Sequence, residues 1–287
     1  MTLPRQTAQP QDAWEAAILA VAPNGARKTK ADHPALPMTP DEIAHCAAAC
    51  AEAGAAMIHL HVRDAKGAHT LDADAYRAAI AAIRGALGDK IVIQATSEAV
   101  GIYKPAQQMA MVRDLRPEAV SLGVREIVPD AAHEAEAAQF FDWMRKERIL
   151  PQFILYSADD LARFDDLVAR GVVPAGRHFV LFVLGRYSAG QKSVPGDVVP
   201  FLTANRESRP WAICAFGARE AACTTAAAAL GGHLRVGFEN NMLLPDGKVA
   251  PDNAALIGIA ARGVESFGRP VADAARAREL LVSYGWS

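Results

Sequence analysis

The chain has 287 residues, 51% of them hydrophobic, and its 30 basic and 32 acidic side chains leave a formal net charge of -2. That is apolar material for a sizeable core, too much for a disordered segment, and the balanced charge without a basic run speaks against nucleic-acid or anionic-membrane partners. No uninterrupted apolar stretch reaches bilayer-spanning length, and Met1 to Asp12 is polar, rich in Gln and Pro and without an apolar signal core, so no membrane partner and a cytoplasmic location are expected.

In chain order, the first predicted strand is Ala16 to Val21, followed by a long loop, Pro23 to Met38. Thr39-Pro40-Asp41-Glu42 then reads as a capping box with proline at the first helical position. The helix it starts carries Cys46 and Cys50 four apart. With only four cysteines in the chain, all are read as structural thiols rather than a disulfide framework. The second strand is Ala56 to His61, with a loop from Arg63 to Leu71. The third and fourth are Ile91 to Ala95 and Ala119 to Leu122, and the fifth is Gln152 to Leu155, with Ser157 capping the next helix. The sixth is Phe179 to Leu184, with a loop from Gly185 to Gly196. The seventh is Trp211 to Ala215, followed by an alanine-rich helix over 218–230. The eighth is Arg235 to Glu239, its loop Asn240 to Pro251, and a last helix covers Ala274 to Leu281.

Eight β-then-α units without a linker-like shift in composition predict a single-domain α/β protein over 1–287: a (β/α)8 TIM barrel with a short polar N-terminal segment and an extra C-terminal helix. A doubly wound sheet would need a glycine-rich first turn, and no G-x-G-x-x-G follows the first strand. Such barrels carry their chemistry where the strands end and the βα loops begin. There the second strand presents His59 and His61 on one face, with Leu60 on the other. By the same alternation Arg235 and Glu239 of the eighth strand point inward, and only the first strand separates the two, a gap of about 10 Å that one ion can bridge. Two imidazoles and a carboxylate with open positions suit a catalytic Zn²⁺ or another divalent metal; a structural zinc would close its shell with thiolates. His178 and His233 start strands, on the stability face, while His45, His69 and His133 lie on helices or loops. None of these five is expected to bind metal. Arg63 and Asp64 are expected to support the two histidines from behind.

The stretches Asn24-Gly25-Ala26-Arg27, Leu36 to Ile43, His59-Leu60-His61-Val62-Arg63-Asp64, Val236 to Asn241 and Pro245-Asp246-Gly247-Lys248 resemble the β-keto acid cleavage enzymes, typified by 3-keto-5-aminohexanoate cleavage enzyme. The similarity runs over nearly the whole chain. It implies a zinc-dependent barrel, expected as a homo-oligomer, that condenses a β-keto acid with acetyl-CoA and splits the adduct into acetoacetate and a new acyl-CoA, without ATP or a redox cofactor. In the family pattern the zinc ligands map onto His59, His61 and Glu239, and a catalytic arginine onto Arg235. Substrate-binding hydroxyls at the ends of strands 3 and 4 map onto Thr96 and Ser121. Two positions depart from the typified pattern. Arg27 stands where the aminohexanoate enzyme has glutamate, which predicts anionic or oxygen-rich keto acids over an amino substrate. Asn240, expected to bind substrate, stands where the family often has an aspartate linked to proton abstraction. An amide cannot accept a proton, so Glu98, just after the third strand, is the candidate catalytic base. Two rival classes are an amidohydrolase-type metal hydrolase, which usually places H-x-H on the first strand and adds histidines from strands 5 and 6, and a non-catalytic small-molecule-binding barrel.

Overall fold

A computed structural model describes residues 14–286, so the reading of Met1 to Asp12 lies outside the described residues. The chain runs β1 (Leu19–Val21), α1 (Pro40–Glu52), β2 (Met57–Leu60), β3 (Val62–Arg63), β4 (His69–Thr70), α2 (Ala73–Leu87), β5 (Val92–Thr96), α3 (Pro105–Leu115), β6 (Ala119–Gly123) and α4 (Val124–Ile127). It continues with α5 (Glu134–Lys146), β7 (Leu150–Leu155), α6 (Ala158–Ala169), β8 (Phe179–Leu184), α7 (Val199–Ala204), β9 (Trp211–Ala215), α8 (Glu220–Ala229), β10 (His233–Val236), α9 (Asn253–Glu265) and α10 (Ala274–Ser283). Eight of the strands close into one parallel barrel in the order β1, β10, β9, β8, β7, β6, β5, β2. β3 and β4 form a small antiparallel hairpin that takes up most of the predicted loop Arg63 to Leu71 and starts one residue before it, at Val62.

Strands covered on both faces read as continuous apolar runs, and Phe179 to Leu184 is buried throughout. The predicted helix starts take the form their chemistry dictates. Thr39 Oγ1 accepts from Glu42 N at 3.3 Å, while Glu42 Oε2 accepts from Thr39 N at 3.2 Å. Ser157 Oγ accepts from Asp160 N at 3.1 Å. Each such cap contributes about 1 kcal/mol.

The apolar interior has two layers, one between strands and helices and one inside the barrel. The inner layer contains Ala20, Met57, Val92, Leu181 and Ala212, and Leu280, Leu281 and Tyr284 at the end of α10 pack against it. The final helix therefore closes the barrel at its N-terminal end, and burying each of those leucines contributes about 2 kcal/mol. With the floor shut, a ligand has the C-terminal rim as its way in. All four cysteines are free. Among the described residues no helix is long and apolar enough to cross a membrane.

Several predicted strand bounds shift by one or two residues, the second strand ending at Leu60, one residue before His61, and two strands change more. The first is shorter, because Ala17 forms an isolated bridge to Val271 rather than a barrel rung. The eighth runs from His233 and stops at Val236, where Gly237 turns the chain at φ +141°. Glu239 is thus not a strand residue, and alternation along the strand is not what aims it.

Candidate functional site

β2 is hydrogen-bonded to β1 and β1 to β10, which brings the ends of β2 and β10 to the same part of the rim. His59 Nε2 and His61 Nε2 stand 3.1 Å apart, and each lies 3.5 Å from Glu239 Oε2. All three ligand atoms fall within 4.8 Å of one another. His59 Nδ1 donates to Gln94 Oε1 at 2.8 Å, an acceptor that leaves the lone pair on Nε2, the nitrogen facing the cluster. Glu239 Oε2 is buried and accepts no hydrogen bond. Burial keeps His59 neutral, its ionisation lowered well below the usual histidine range, with Arg235 adding repulsion. Burial also opposes the charge on Glu239, yet Arg235 and the two imidazoles hold its carboxyl well below the ordinary value. Two converging imidazole nitrogens and one buried carboxylate oxygen without a hydrogen-bond partner are the donor set of a divalent metal site with open positions.

Glu239 is positioned by the loop it lies on. Gly25, at φ +61°, lets the β1 loop approach so closely that a Cβ there would come within 2.7 Å of Glu239 Cγ. At Gly237 a Cβ would come within 2.5 Å of the Ala22 carbonyl oxygen. Only glycine takes both the backbone angle and the contact. Lys28 Nζ donates to the carbonyls of Phe238, at 2.5 Å, and Glu239, at 3.1 Å. Arg63 donates to the carbonyls of Gly25, Ala26 and Lys28. From the other side buried Glu220 accepts from Gly237 N at 3.2 Å and from the amides of Asn240 at 3.5 Å and Asn241 at 3.4 Å. Its carboxyl is pushed up to about 8 by burial.

Arg235, on the inward face of β10, donates to Glu239 Oε1 at 3.1 Å and to Cys214 Sγ at 3.3 Å, while its Nε and Nη1 are buried without partners. Glu98 Oε2 lies 3.9 Å from His61 Nε2 and Glu98 Oε1 lies 3.8 Å from Arg186 Nη2. Thr96 Oγ1 accepts from Glu98 N at 3.1 Å and from Ser121 Oγ at 3.3 Å, so its own proton is available to a ligand. A chamber of about 20 Å³, lined by His59, Thr96, Glu98, Tyr156, Arg186, Arg235 and Glu239 with Ile154, Val183 and Phe216, sits over the cluster. It adjoins a vestibule of about 180 Å³ that includes Asn24 to Lys28, Glu98, Arg186, Gln191 and Glu239. A larger groove of about 520 Å³ beside α1, lined by Leu36, Cys46 and Pro251 among others, shares no residue with the cluster.

Of the residues singled out by sequence, His59, Glu239, Arg235, Glu98 and Thr96 line one chamber, His61 joins His59 and Glu239 in the cluster beneath it, and Arg27 lines the vestibule. Ser121 lies beneath Thr96 rather than on the lining. Asn240 is turned behind the loop: its Nδ2 faces the Arg235 carbonyl at 3.3 Å and Glu220, and it lines neither cavity. Two auxiliary expectations are corrected. Arg63 grips the β1 loop instead of a histidine, and Asp64 Oδ1 accepts the amides of Lys66 and Ala68 in the hairpin turn. Sequence reading missed Gln94, Tyr156, Arg186, Lys28 and Glu220. The first three had a signal, since Gln94 shares the Thr96 face of β5 and Tyr156 and Arg186 follow the ends of β7 and β8. Glu220 had none; an acid in a first helical turn is ordinary.

A family model described as beta-keto acid cleavage enzyme matches residues 16–282. The chain is 31% identical over 274 residues to the 3-keto-5-aminohexanoate cleavage enzyme of Acetoanaerobium sticklandii, covering 93% of this chain and 98% of that one. It is 29% identical to the 3-oxoadipate:acetyl-CoA acetyltransferase of Cupriavidus necator, covering 92% and 94%. Among solved structures, apo ObcA superposes with a TM-score of 0.69 at 16% identity over 86% of this chain; the chain spans 65% of the length of ObcA, and the likeness is one of fold.

Proposed function

The chain belongs to the β-keto acid cleavage enzyme family, and from that premise we propose that it exchanges acyl groups between a β-keto acid and acetyl-CoA. In the overall reaction the C–C bond between the keto carbon and the CH₂ next to the carboxylate breaks. A new C–C bond joins that CH₂ to the acetyl carbon, and the released acyl group ends on the CoA sulfur, so the products are acetoacetate and a new acyl-CoA. Atoms and charge balance without ATP or a redox partner.

The observation that carries this reading is the convergence of two imidazoles and an unmatched carboxylate beside a free-standing carboxylate and a guanidinium with two unpaired buried nitrogens. His59, His61 and Glu239 would hold a divalent ion, zinc by their donor set, and that ion when bound supplies a Lewis acid for the keto oxygen. Glu98, close to the cluster and not hydrogen-bonded through its carboxylate to another side chain, takes the proton from the CH₂ between the carbonyls. Arg235 aims its buried Nε and Nη1 protons at the negative charge that develops on oxygen, where low dielectric strengthens them. Thr96 donates its hydroxyl proton to a substrate oxygen, with Ser121 orienting it from below. Arg27 stands exposed in the vestibule and favours an anionic or oxygen-rich tail over an ammonium.

The test is an acetoacetate assay over a panel of β-keto acids, with and without acetyl-CoA. Acetoacetate that appears only with acetyl-CoA supports the reading. Its absence across the panel, or hydrolysis independent of acetyl-CoA, overturns it and favours a binding barrel or an amidohydrolase-type hydrolase respectively.

A further inference from the structure

Basic residues crowd this rim, and most are already engaged. Lys28 and Arg63 hold backbone carbonyls of the two loops that frame the metal cluster. Arg235 is bonded to Glu239 and Cys214 and faces the reacting end of the chamber. Arg125, stacked 3.7 Å from the Tyr156 ring and 4.8 Å from the Tyr187 ring, has its Nη2 buried without a partner but lines neither the chamber nor the vestibule.

Arg186 is different. Its side chain is 18% exposed, yet among the described residues its guanidinium makes no hydrogen bond. The one carboxylate facing it, Glu98, is 3.8 Å away, too far for a hydrogen bond. Its guanidinium carbon lies 5.0 Å from the Phe216 ring centroid, a stack that orients the plane without occupying its donors. A guanidinium that is oriented by a ring, with its N–H groups uncommitted and open to the cavity, is set up for a planar, doubly accepting anion.

Its location says which part of a ligand it meets. Besides Glu98 and Glu239, Arg186 is the residue common to the lining of the inner chamber and of the vestibule. The chamber, about 20 Å³, has room for little more than one water-sized body, so a bound keto acid extends outward past this point. Arg186 is separated from His61 by one carboxylate, that of Glu98, with a gap of under 4 Å on each side. A chain of a few methylenes spans that separation.

Resting on the reading of this chain as a β-keto acid:acetyl-CoA acyl-exchange enzyme, we infer that Arg186 receives a second carboxylate at the distal end of the substrate, which makes the preferred substrates dicarboxylic β-keto acids. Arg27, exposed in the vestibule, attracts such a substrate from outside; Arg186, where the vestibule meets the inner chamber, holds it. Arg186 is therefore a specificity-determining residue. A CoA phosphate would offer the same anionic chemistry, and the test separates the two sources.

The experiment compares 3-oxoadipate with 3-oxohexanoate, a six-carbon acid lacking the second carboxylate, in the parent protein and in Arg186→Met and Arg186→Lys. The expected result is a ratio of kcat/KM, dicarboxylic over monocarboxylic, that falls about 100-fold in Arg186→Met and about tenfold in Arg186→Lys, which keeps the charge and loses the fork. The KM for acetyl-CoA stays near the parent value. Arg186→Lys also serves as the test should Arg186→Met fail to fold. An unchanged ratio in a parent that does release acetoacetate overturns the inference alone. A raised KM for acetyl-CoA with an unchanged ratio assigns Arg186 to the CoA phosphates and overturns it too. A parent that releases no acetoacetate from either acid overturns the functional reading, and this inference with it.

Discussion

The two ends of the barrel use the same residue types and treat them in opposite ways. At the floor, His233 Nδ1 accepts from Ile18 N at 2.9 Å and its Nε2 meets the Tyr284 hydroxyl at 3.0 Å, so both ring nitrogens are satisfied. Arg269 nearby is almost wholly buried and donates to the carbonyls of Glu15, Ala228, Gly231 and Gly232. At the rim, by contrast, His61 Nδ1, Arg235 Nε and Nη1, and Glu239 Oε2 are buried with no partner. Leaving a buried polar group unpaired costs about 1–3 kcal/mol. A rim that carries several such groups is tolerated where a ligand completes them, and the floor shows that the fold can satisfy a histidine and an arginine fully when stability is all that is required. His178 marks the limit of the rule. Both its nitrogens lack partners, but Phe153, Phe164 and Trp286 wall it in and burial lowers its ionisation to about 4, so it behaves as a neutral core ring with no second ligand beside it.

The sharpest way to break this contrast is to remove rim histidines. The double variant His59→Ala, His61→Ala should lose more than about 10³-fold in activity together with its metal, while its melting temperature holds near that of the parent. Elemental analysis finding a full complement of metal in that variant would defeat the assignment. Glu98→Gln, which removes the candidate base and leaves the cluster intact, should lower turnover about 10²-fold. Turnover within about threefold of the parent would eliminate Glu98, since loss of a general base typically costs far more.

The floor should answer in the opposite currency. Arg269→Met strands several buried carbonyls and is expected to cost about 3 kcal/mol or more in chemical denaturation, with turnover of the folded protein close to the parent value. A large loss of turnover at unchanged stability would erase the distinction between the two ends.

The smallest effect concerns the loop that carries Glu239. Glu220, pushed up to about 8 from an ordinary value of 4.5, binds its proton more tightly folded than unfolded. Its contribution is therefore complete below about 4.5 and is lost progressively as pH rises through about 8. Glu220→Gln should melt above the parent by a margin that widens over that window and then levels off. A margin independent of pH would show that Glu220 is already ionised when buried. Asn240→Asp places a second carboxylate beside Glu220 rather than in the chamber, so it is expected to lower stability above neutral pH and to leave the rate little changed. A marked acceleration would mean that residue 240 reaches the reacting atoms after all.

How much of this was legible beforehand follows from the range of the interactions. Strand and helix alternation, the capping box at Thr39, the N-cap at Ser157 and the convergence of His59 and His61 are local: they depend on neighbours within a few residues, and a pattern of period two or a hydroxyl followed three residues on by an acid states them directly. Barrel closure also followed, because eight such units have few other ways to bury their strands. The aim of Glu239 did not follow, since β10 ends at Val236 and the carboxylate is swung into place by Gly237, the close approach of Gly25 and the grip of Lys28, contacts that join residues more than 200 positions apart. The same holds for Asn240, which sequence aligned with a catalytic position and the fold turned toward Glu220. Arg186 drew no expectation from the sequence. Whether a guanidinium is a structural clamp like Arg63 or a receptor is settled by which carbonyls and carboxylates surround it, and those arrive from other parts of the chain only when the barrel closes.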